Sequence, residues 1–589
     1  MTLDPVRLAL VQKRLDFISR HMGWVMTRTA RSPIFSQSHD FSCFLTDGAG
    51  TLVSNADGIP IHTGGGGFAV RALLSAFDGA AGSGTSGYGT VGEGDVFLLN
   101  DPYAAGGNHL PDWVIARPVF AEGDLVAFVC NRAHQSDIGG GAAGTYNPEA
   151  TEIFHEGLRL PPLRLVEAGS QREDLWQLLL LNSRTPDLLD GDLRAMIGST
   201  RIGAEHVSKL VMEIGVDPMR AYLDGILDHA DRCFREVVSR LPDGLYEGSE
   251  MTHSDCFEPG EIEIRVALTV KGDSLHLDFS GTGDQVRGFK NSSLANTHSA
   301  VYMALASFFD PDLPRNEGTF RCLEIHAPKG SIVNPRPPAP VTMCTVFVAH
   351  EIVHAVWKAL AKACPEDSCA GWGKPIHGVT ASTSGPDEPF VMYHWNALAG
   401  AGAVDGRDGF NQIGHLIALG GLTLPELEVF EQLYPVHFVR HEFRSDAAGV
   451  GRFRGGTGVE YEVDVQVGAQ YSFRGEGLSA PSGYGAAGGG TGKKGEMTMY
   501  PVNGEAFAAP TYGLRDLGPA RLSASSPAGG GWGDPLERDS LRVLRDVRDE
   551  VLSDRAAKSD YGVVLREGGL EVDEEATVRQ RARMRQSTA

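Results

Sequence analysis

The sequence predicts a large, multilayer and multidomain α+β protein with strand-rich N- and C-terminal parts and a helical middle. Three observations lead there. At 589 residues the chain is too long for one ordinary hydrophobic core. Apolar residues recur at helical period in some stretches and alternate strictly in others, so both element types share the chain. The 74 glycines call for many tight turns and ordered loops between those elements.

Taken in order, residues 5–31 predict an amphipathic helix. Asp4 can cap it, Pro5 fits its first position, and Leu8, Val11, Leu15, Ile18, Met22 and Val25 recur at helical spacing. Ser32-Pro33 ends it. Strands follow at Phe41–Leu45 and Thr51–Ser54, with Asp47-Gly48 as their turn. Four glycines at 64–67 precede a helix from Phe68 to Phe77, a start that can bind an anion but is more often a flexible turn. Residues 79–89 form a small-residue loop.

Residues 186–241 predict two helices that start at Thr185-Pro186 and Asp217-Pro218. Ile262, Ile264, Val266, Leu268 and Val270 alternate as a half-buried strand, Lys271-Gly272-Asp273 turns, and Leu275–Phe279 returns. Helices at 296–309 and 346–363 flank a proline-rich crossing. Strands dominate 434–475, glycines make 479–495 a loop, 536–557 is a short helical or extended element, and the charged 566–589 frays. The segments divide as 1–165, 166–244, 245–430, 431–535 and 536–589.

A net charge of −23 argues against a nucleic-acid partner. No run of 18 apolar residues predicts a membrane span, and residues 1–20 lack the layout of a signal peptide, so the expected location is cytoplasmic. Eight scattered cysteines without a CxxC pair read as reduced thiols.

The chemistry concentrates in residues 95–134. Trp113–Phe120 and Leu125–Asn131 read as strands joined by Ala121-Glu122-Gly123-Asp124. With the turn centred between Glu122 and Gly123, opposite residues sum to about 245. Asp112 then faces Ala133 beside His134, and His109 lies just beyond. Two imidazoles and a carboxylate at one open hairpin end are a ligand set for Zn, Mn or Fe(II). Asp137, close behind His134, can support such a site from outside it. The competing reading is that these polar residues only satisfy loop backbone.

Several longer motifs accompany these residues: Asp40-Phe41-Ser42, Ile59-Pro60-Ile61-His62, Asn100-Asp101-Pro102-Tyr103, His109-Leu110-Pro111-Asp112 and His134-Gln135-Ser136-Asp137. Glu156–Pro162, Gly451–Gly456 and Gly529–Pro535 follow. Together they resemble the hydantoinase B/oxoprolinase family nearly end to end, with a weaker match across 340–430. The resemblance implies one divalent metal on His109, Asp112 and His134. It makes Asp40 a candidate fourth ligand or general base, and Asp40 or Asp137 the proton acceptor beside His134. It also implies an A-type partner subunit that uses ATP to phosphorylate the substrate, in an α2β2 or higher heteromer. The expected reaction is hydrolysis of a small cyclic amide such as a hydantoin, lactam or 5-oxoproline. A ketone carboxylase subunit and a non-catalytic scaffold are the alternatives.

Three further patterns bear on function. Gly488–Lys494 imitates a phosphate loop, but its glycine-to-lysine spacing is wrong and no Ser or Thr follows the lysine. His350-Glu351-Ile352-Val353-His354 has the HExxH spacing of a zinc protease, with chance as a serious competitor. Residues 402–409 resemble a family loop near the substrate path and serve equally as a structural turn.

Overall fold

The computed structural model describes residues 3–62, 64–78, 88–376, 378–382, 389–566, 569 and 571–588. Of the expected loop at 79–89, residues 79–87 lie outside that set. The described residues form a mixed α+β fold with twelve helices and four sheets. The chain divides into two compact units. The first is Met1–Ala359 with Thr383–Val391 and Gly421–Thr423; the second is Leu360–Ser382, Met392–Gly420 and Leu424–Ala589.

The first unit opens with α1 (Pro5–Thr29), where the Asp4 side chain accepts from the Val6 amide. After α2 (Pro33–Ser36) come β1 (Phe41–Asp47), β2 (Leu52–Gly58), α3 (Gly65–Asp78), β3 (Val96–Leu99), β4 (Asp112–Ala121), β5 (Asp124–His134), β6 (Leu163–Glu167) and β7 (Ser170–Gln171). These strands make one sheet of order β2-β1-β5-β4-β3-β6-β7. Helices α4 (Glu173–Leu181), α5 (Pro186–Ile214) and α6 (Val216–Val238) follow; α4 lies within the segment 166–244, read from the sequence as helical, ahead of the two helices expected from residue 186 on.

Strand alternation sorts the side chains of this sheet. Phe44, Phe97, Val114, Phe128 and Cys130 face α3 and join Ala69, Val70, Leu73 and Phe77 in one apolar core. The intervening residues face the helices α1 and α5: the Asn131 amide donates to the Met196 carbonyl, and Cys43 meets Met26. Each buried aromatic or aliphatic side chain in such a core is worth roughly 1.5–3 kcal/mol. The sheet that carries the site is therefore clamped from both sides.

The β4–β5 turn lies at Glu122 and Gly123, both with positive φ, as a two-residue hairpin turn of right-handed twist requires. The register differs from the one predicted. Phe120 pairs with Leu125, but Val119 pairs with Ala127, so β5 carries one extra residue there. Beyond this bulge Asp112 pairs with His134 rather than with Ala133.

The chain continues with β8 (Gly244–Ser254), β9 (Pro259–Lys271), β10 (Ser274–Asp278), α7 (Leu294–Phe308), β11 (Leu323–His326) and α8 (Ala349–Ala363). The strands form a second sheet of order β11-β10-β9-β8. Further along lie β12 (Val379–Ser382), β13 (Phe390–Tyr393), α9 (Leu427–Leu433), β14 (Val436–Phe443), β15 (Val459–Val465), β16 (Ala469–Arg474) and β17 (Glu496–Pro501). They are followed by β18 (Phe507–Ala508), β19 (Tyr512–Leu517), β20 (Ala520–Ser525), α10 (Ser540–Arg548), α11 (Asp554–Asp560) and α12 (Glu574–Thr588). The remaining sheets run β13-β12-β16-β19 and β14-β15-β20-β17-β18. The expected fraying of 566–589 is corrected over α12. Asp573 caps its start, and Arg581 donates to the carbonyls of Tyr561 and Arg538. All eight cysteines are free. No helix among the described residues is long and apolar enough to cross a membrane.

Gly107 sits in the loop that leads from β3 to His109, and a Cβ there would lie 1.9 Å from the Asn100 carbonyl oxygen. Gly107→Ala should therefore lose about 1–3 kcal/mol of stability. Gly198, in the middle of α5 with nothing within 4 Å of an added methyl, gives the contrast. Gly198→Ala should gain about 0.5–1 kcal/mol. Urea denaturation of both variants measures the pair, and equal effects would contradict the packing described.

Candidate metal centre

Three strand ends and two loops deliver the site. Asp112 opens β4 and His134 closes β5 as the last pair of their ladder, so both side chains project from one face. Arg132, two residues before His134, shares that face, as does Ser42, its partner on β1. Asp40 precedes β1, and its carbonyl accepts from the His134 amide (3.1 Å). The alternation that sends Phe128 and Cys130 into the core thus carries Arg132 and His134 to the end of the same face. His109 comes from the loop before β4, and His62 from a turn at Pro60–His62 after β2.

Among the described residues, His109, Asp112 and His134 each offer a ligand atom within 4.8 Å of the others, all buried. His109 Nε2 lies 2.8 Å and His134 Nδ1 3.1 Å from Asp112 Oδ1, while His62 Nε2 lies 3.1 Å from Asp112 Oδ2. Yet His109 Nε2 and Asp112 Oδ2, both shut off from solvent, make no hydrogen bond. Buried polar atoms are normally paired. Three imidazoles gathered around one carboxylate, with two of these atoms unsatisfied, fit a divalent cation bound by nitrogen and oxygen.

The surrounding groups fix the ring orientations. His109 Nδ1 donates to the Thr342 carbonyl (2.6 Å), which turns Nε2 toward Asp112. Glu156, buried, accepts from the amides of Val341 and Thr342 (2.9 and 2.7 Å) and so anchors the segment that holds His109. His62 Nδ1 meets Ser42 Oγ at 3.0 Å. The buried Arg132 guanidinium donates to Asn108 Oδ1, the His62 carbonyl and the Gly65 carbonyl, tying both histidine loops to the start of α3. Tyr146 stacks on His134, with ring centroids 5.6 Å apart.

The electrostatics follow from this crowding. Burial pushes the Asp112 carboxyl up, but His109, His62 and His134 together hold it well below the ordinary carboxylate range. Burial disfavours charge on His109, which Asp112 outweighs, so His109 is raised; burial lowers His134. Asp40 is raised by burial, partly offset by His134 and His62. Its carboxyl thus stands beside the cluster with a greater proton affinity than a surface aspartate.

The other residues singled out by sequence are placed elsewhere. Asp137 accepts from the amides of Gly139, Gly144 and Arg184 and pairs with the Arg184 guanidinium at 3.1 Å. It anchors the loop behind His134. In the HExxH segment, Glu351 accepts from the Val348 amide at the start of α8, and His354 Nδ1 lies 3.2 Å from Glu250. Asp408 of the 402–409 loop forms a two-pronged ion pair with Arg538. The glycines at 64–67 pack at the start of α3: a Cβ on Gly66 would touch the Phe44 ring, and one on Gly64 the Ser299 backbone. Spacing alone does not single out His62, Ser42, Arg132, Glu156 or Thr342 as site residues. His62, Ser42 and Glu156 do stand inside family-like motifs, which is the signal that could have found them.

Burial raises the Glu156 carboxyl from about 4.5 to about 7. The folded state therefore holds a proton that the unfolded state has released between those values, and stability falls as pH rises through that window. Glu156→Gln removes this titration. In metal-stripped protein, the stability of the variant relative to the parent should rise from pH 4.5 to pH 7 and level off above. Urea midpoints across pH measure it, and a flat difference would contradict the assignment.

Known proteins share this sequence and fold. The sequence profile described as Hydantoinase B/oxoprolinase matches residues 4–535. The caprolactamase subunit beta of Pseudomonas jessenii is 35% identical over 593 residues, covering 99% of each chain. The crystal structure of the ATP-dependent caprolactamase from Pseudomonas jessenii superposes with a TM-score of 0.88 at 33% identity, over 99% of this chain and 100% of that one. A nucleotide-free acetone carboxylase shares the fold, with a TM-score of 0.85 at 20% identity over 99% and 83% of the two chains. By its profile match and its 35% identity to a full-length relative, this chain belongs to the hydantoinase B/oxoprolinase family.

Proposed function

We propose that this chain is the metal-bearing B-type subunit of an ATP-dependent cyclic amide hydrolase, acting on a lactam, hydantoin or 5-oxoproline phosphorylated by an A-type partner. The observation that carries this reading is the buried convergence of His109, Asp112 and His134 in a chain 35% identical to a caprolactamase subunit beta. A divalent cation bound there would supply Lewis acidity, polarising an oxygen and lowering the pKa of a water.

The chain's own residues do the rest. Asp112 and the two imidazoles present their lone pairs in a site closed to bulk water. The Thr342 carbonyl keeps His109 in the tautomer with Nε2 free to ligate. Asp40, with its raised proton affinity, takes the proton of the attacking water. Water adds to the activated carbon, the ring C–N bond breaks as the nitrogen takes up the proton held by Asp40 and leaves as an amine, and a second water cleaves the resulting acyl phosphate to carboxylate and phosphate. Location in the cytoplasm and assembly as α2β2 or a higher heteromer accompany this reading.

Purified protein should carry close to one Zn, Mn or Fe per chain by elemental analysis. His109→Ala and Asp112→Asn should weaken metal affinity by about 10-fold or more. A fully active complex stripped of metal would contradict the assignment. The isolated chain should not hydrolyse ATP, since the ATP-using step is assigned to the partner. Steady turnover that survives rigorous removal of that partner would count against it.

His134→Ala should abolish product formation in the complex while the partner still releases phosphate, so ATP use becomes uncoupled. The His134 backbone is held by the sheet, and circular dichroism should show a folded variant. If His134 merely satisfied loop hydrogen bonds, its loss would cost about 1 kcal/mol of stability and little activity. Wild-type coupling would then refute the metal-centred mechanism. Product that incorporates bicarbonate would instead identify a ketone carboxylase.

A further inference from the structure

Helix α1 carries a second apolar series on the side away from its core. Leu10, Phe17 and Trp24 recur every seven residues, and Val6 lies one turn before Leu10. All four are exposed, Phe17 by 52% and Trp24 by 54%. At 3.6 residues per turn they fall within about 40° of one line, opposite the buried Leu15, Ile18 and Met22. The ridge is ordered: the Phe17 and Trp24 rings meet edge to face at 6.1 Å, and His21 contacts both.

The charge that α1 itself brings to the ridge is almost all of one sign. Arg7, Lys13, Arg14, Arg20 and Arg28 are exposed along the helix, and of these Arg14 reaches Glu213 on α5. The single acid of α1, Asp16, accepts from Ser54 and Gln12. This basic, aromatic stripe stands on a chain whose net charge is −23. Exposed Trp, Phe and Leu set among arginines are the composition of a protein–protein contact. A seven-residue repeat is the seam that a helix presents to another helix or to a groove.

The charge also selects the occupant. An anionic membrane or nucleic acid would meet the repulsion of the whole acidic chain. A second copy, packed symmetrically through α1, would set one row of cations against another. A different protein, whose carboxylates are confined to the rim of an apolar groove or helix, pairs them with these cations and presents few like charges to the rest of the chain. We propose that the outer face of α1 is the docking seam for such a partner; resting on the function proposed above, that partner is the A-type, ATP-using subunit.

The test uses the full chain and the A-type subunit of the same source. Phe17→Asp with Trp24→Asp should weaken their affinity by about 100-fold or more. Thermal midpoint should stay within about 2 °C, because both side chains are exposed, and metal content should be unchanged. Lys13→Glu with Arg28→Glu should weaken binding by a smaller factor and flatten its salt dependence. Double-variant binding within about threefold of wild type would overturn the seam while leaving the proposed function standing. A wild-type chain that does not bind the A-type subunit would overturn that part of the function, and the seam with it. Two results would assign the face to another occupant and so overturn the proposal. One is a homo-oligomer of wild type that the double variant dissolves in light scattering. The other is wild-type binding to phosphatidylserine vesicles that the double variant loses.

Discussion

The pairing of Asp112 with His134 at the end of the β4–β5 ladder is the constraint on which the site depends. Side chains alternate across a sheet, so a slip of one residue exchanges the two faces. In the unbulged register Asp112 would lie opposite Ala133, whose face looks toward α1 and α5. One extra residue in β5, near Val126, moves the pairing by one and brings His134 level with Asp112 on the α3 side. The bulge lies next to the turn, about seven residues from the ligands. A local feature near one end of the hairpin thus decides which side chains meet at the other.

Around that pair the protein spends buried polar contacts to hold loops rather than strands. Arg132 fixes the two segments that carry His62 and His109, and Glu156 fixes the segment whose Thr342 carbonyl orients His109. Leaving any of these buried groups without its partner would cost about 1–3 kcal/mol. They therefore act together as a rigid frame. The frame keeps two imidazole nitrogens and a carboxylate close although only His134 is hydrogen-bonded to Asp112, while His109 Nε2 and Asp112 Oδ2 make no hydrogen bond, an arrangement that a bound cation would relieve.

Local signals were legible where local physics decides. The Asp4 cap and the stripe of α1, the Glu122-Gly123 turn and the alternation of β9 each lie within a few residues of sequence, and the fold class follows from them. The spacing of His109, Asp112 and His134 likewise pointed to a hairpin end. The bulge was not legible, because β-branched and aromatic residues on both strands tolerate either register. His62 and Glu156 reach the site across 47 residues of chain on either side of His109 and through long-range pairing, which no period encodes. Asp137 and Glu351 read as chemistry by their neighbours in sequence; in the fold, Arg184 and backbone amides take up Asp137, and the start of α8 takes up Glu351. The helix α12 was missed because a charged segment gives no sign that Arg581 will find two backbone carbonyls.

The proposed mechanism requires one divalent ion among His109, Asp112 and His134. Anomalous X-ray diffraction from crystals of the purified protein, collected on both sides of the Zn, Mn and Fe edges, tests it most directly. One strong peak per chain is expected, about 2.0–2.2 Å from His109 Nε2, an Asp112 oxygen and a His134 ring nitrogen. An active preparation whose crystals show no anomalous peak within bonding distance of those three residues would contradict it.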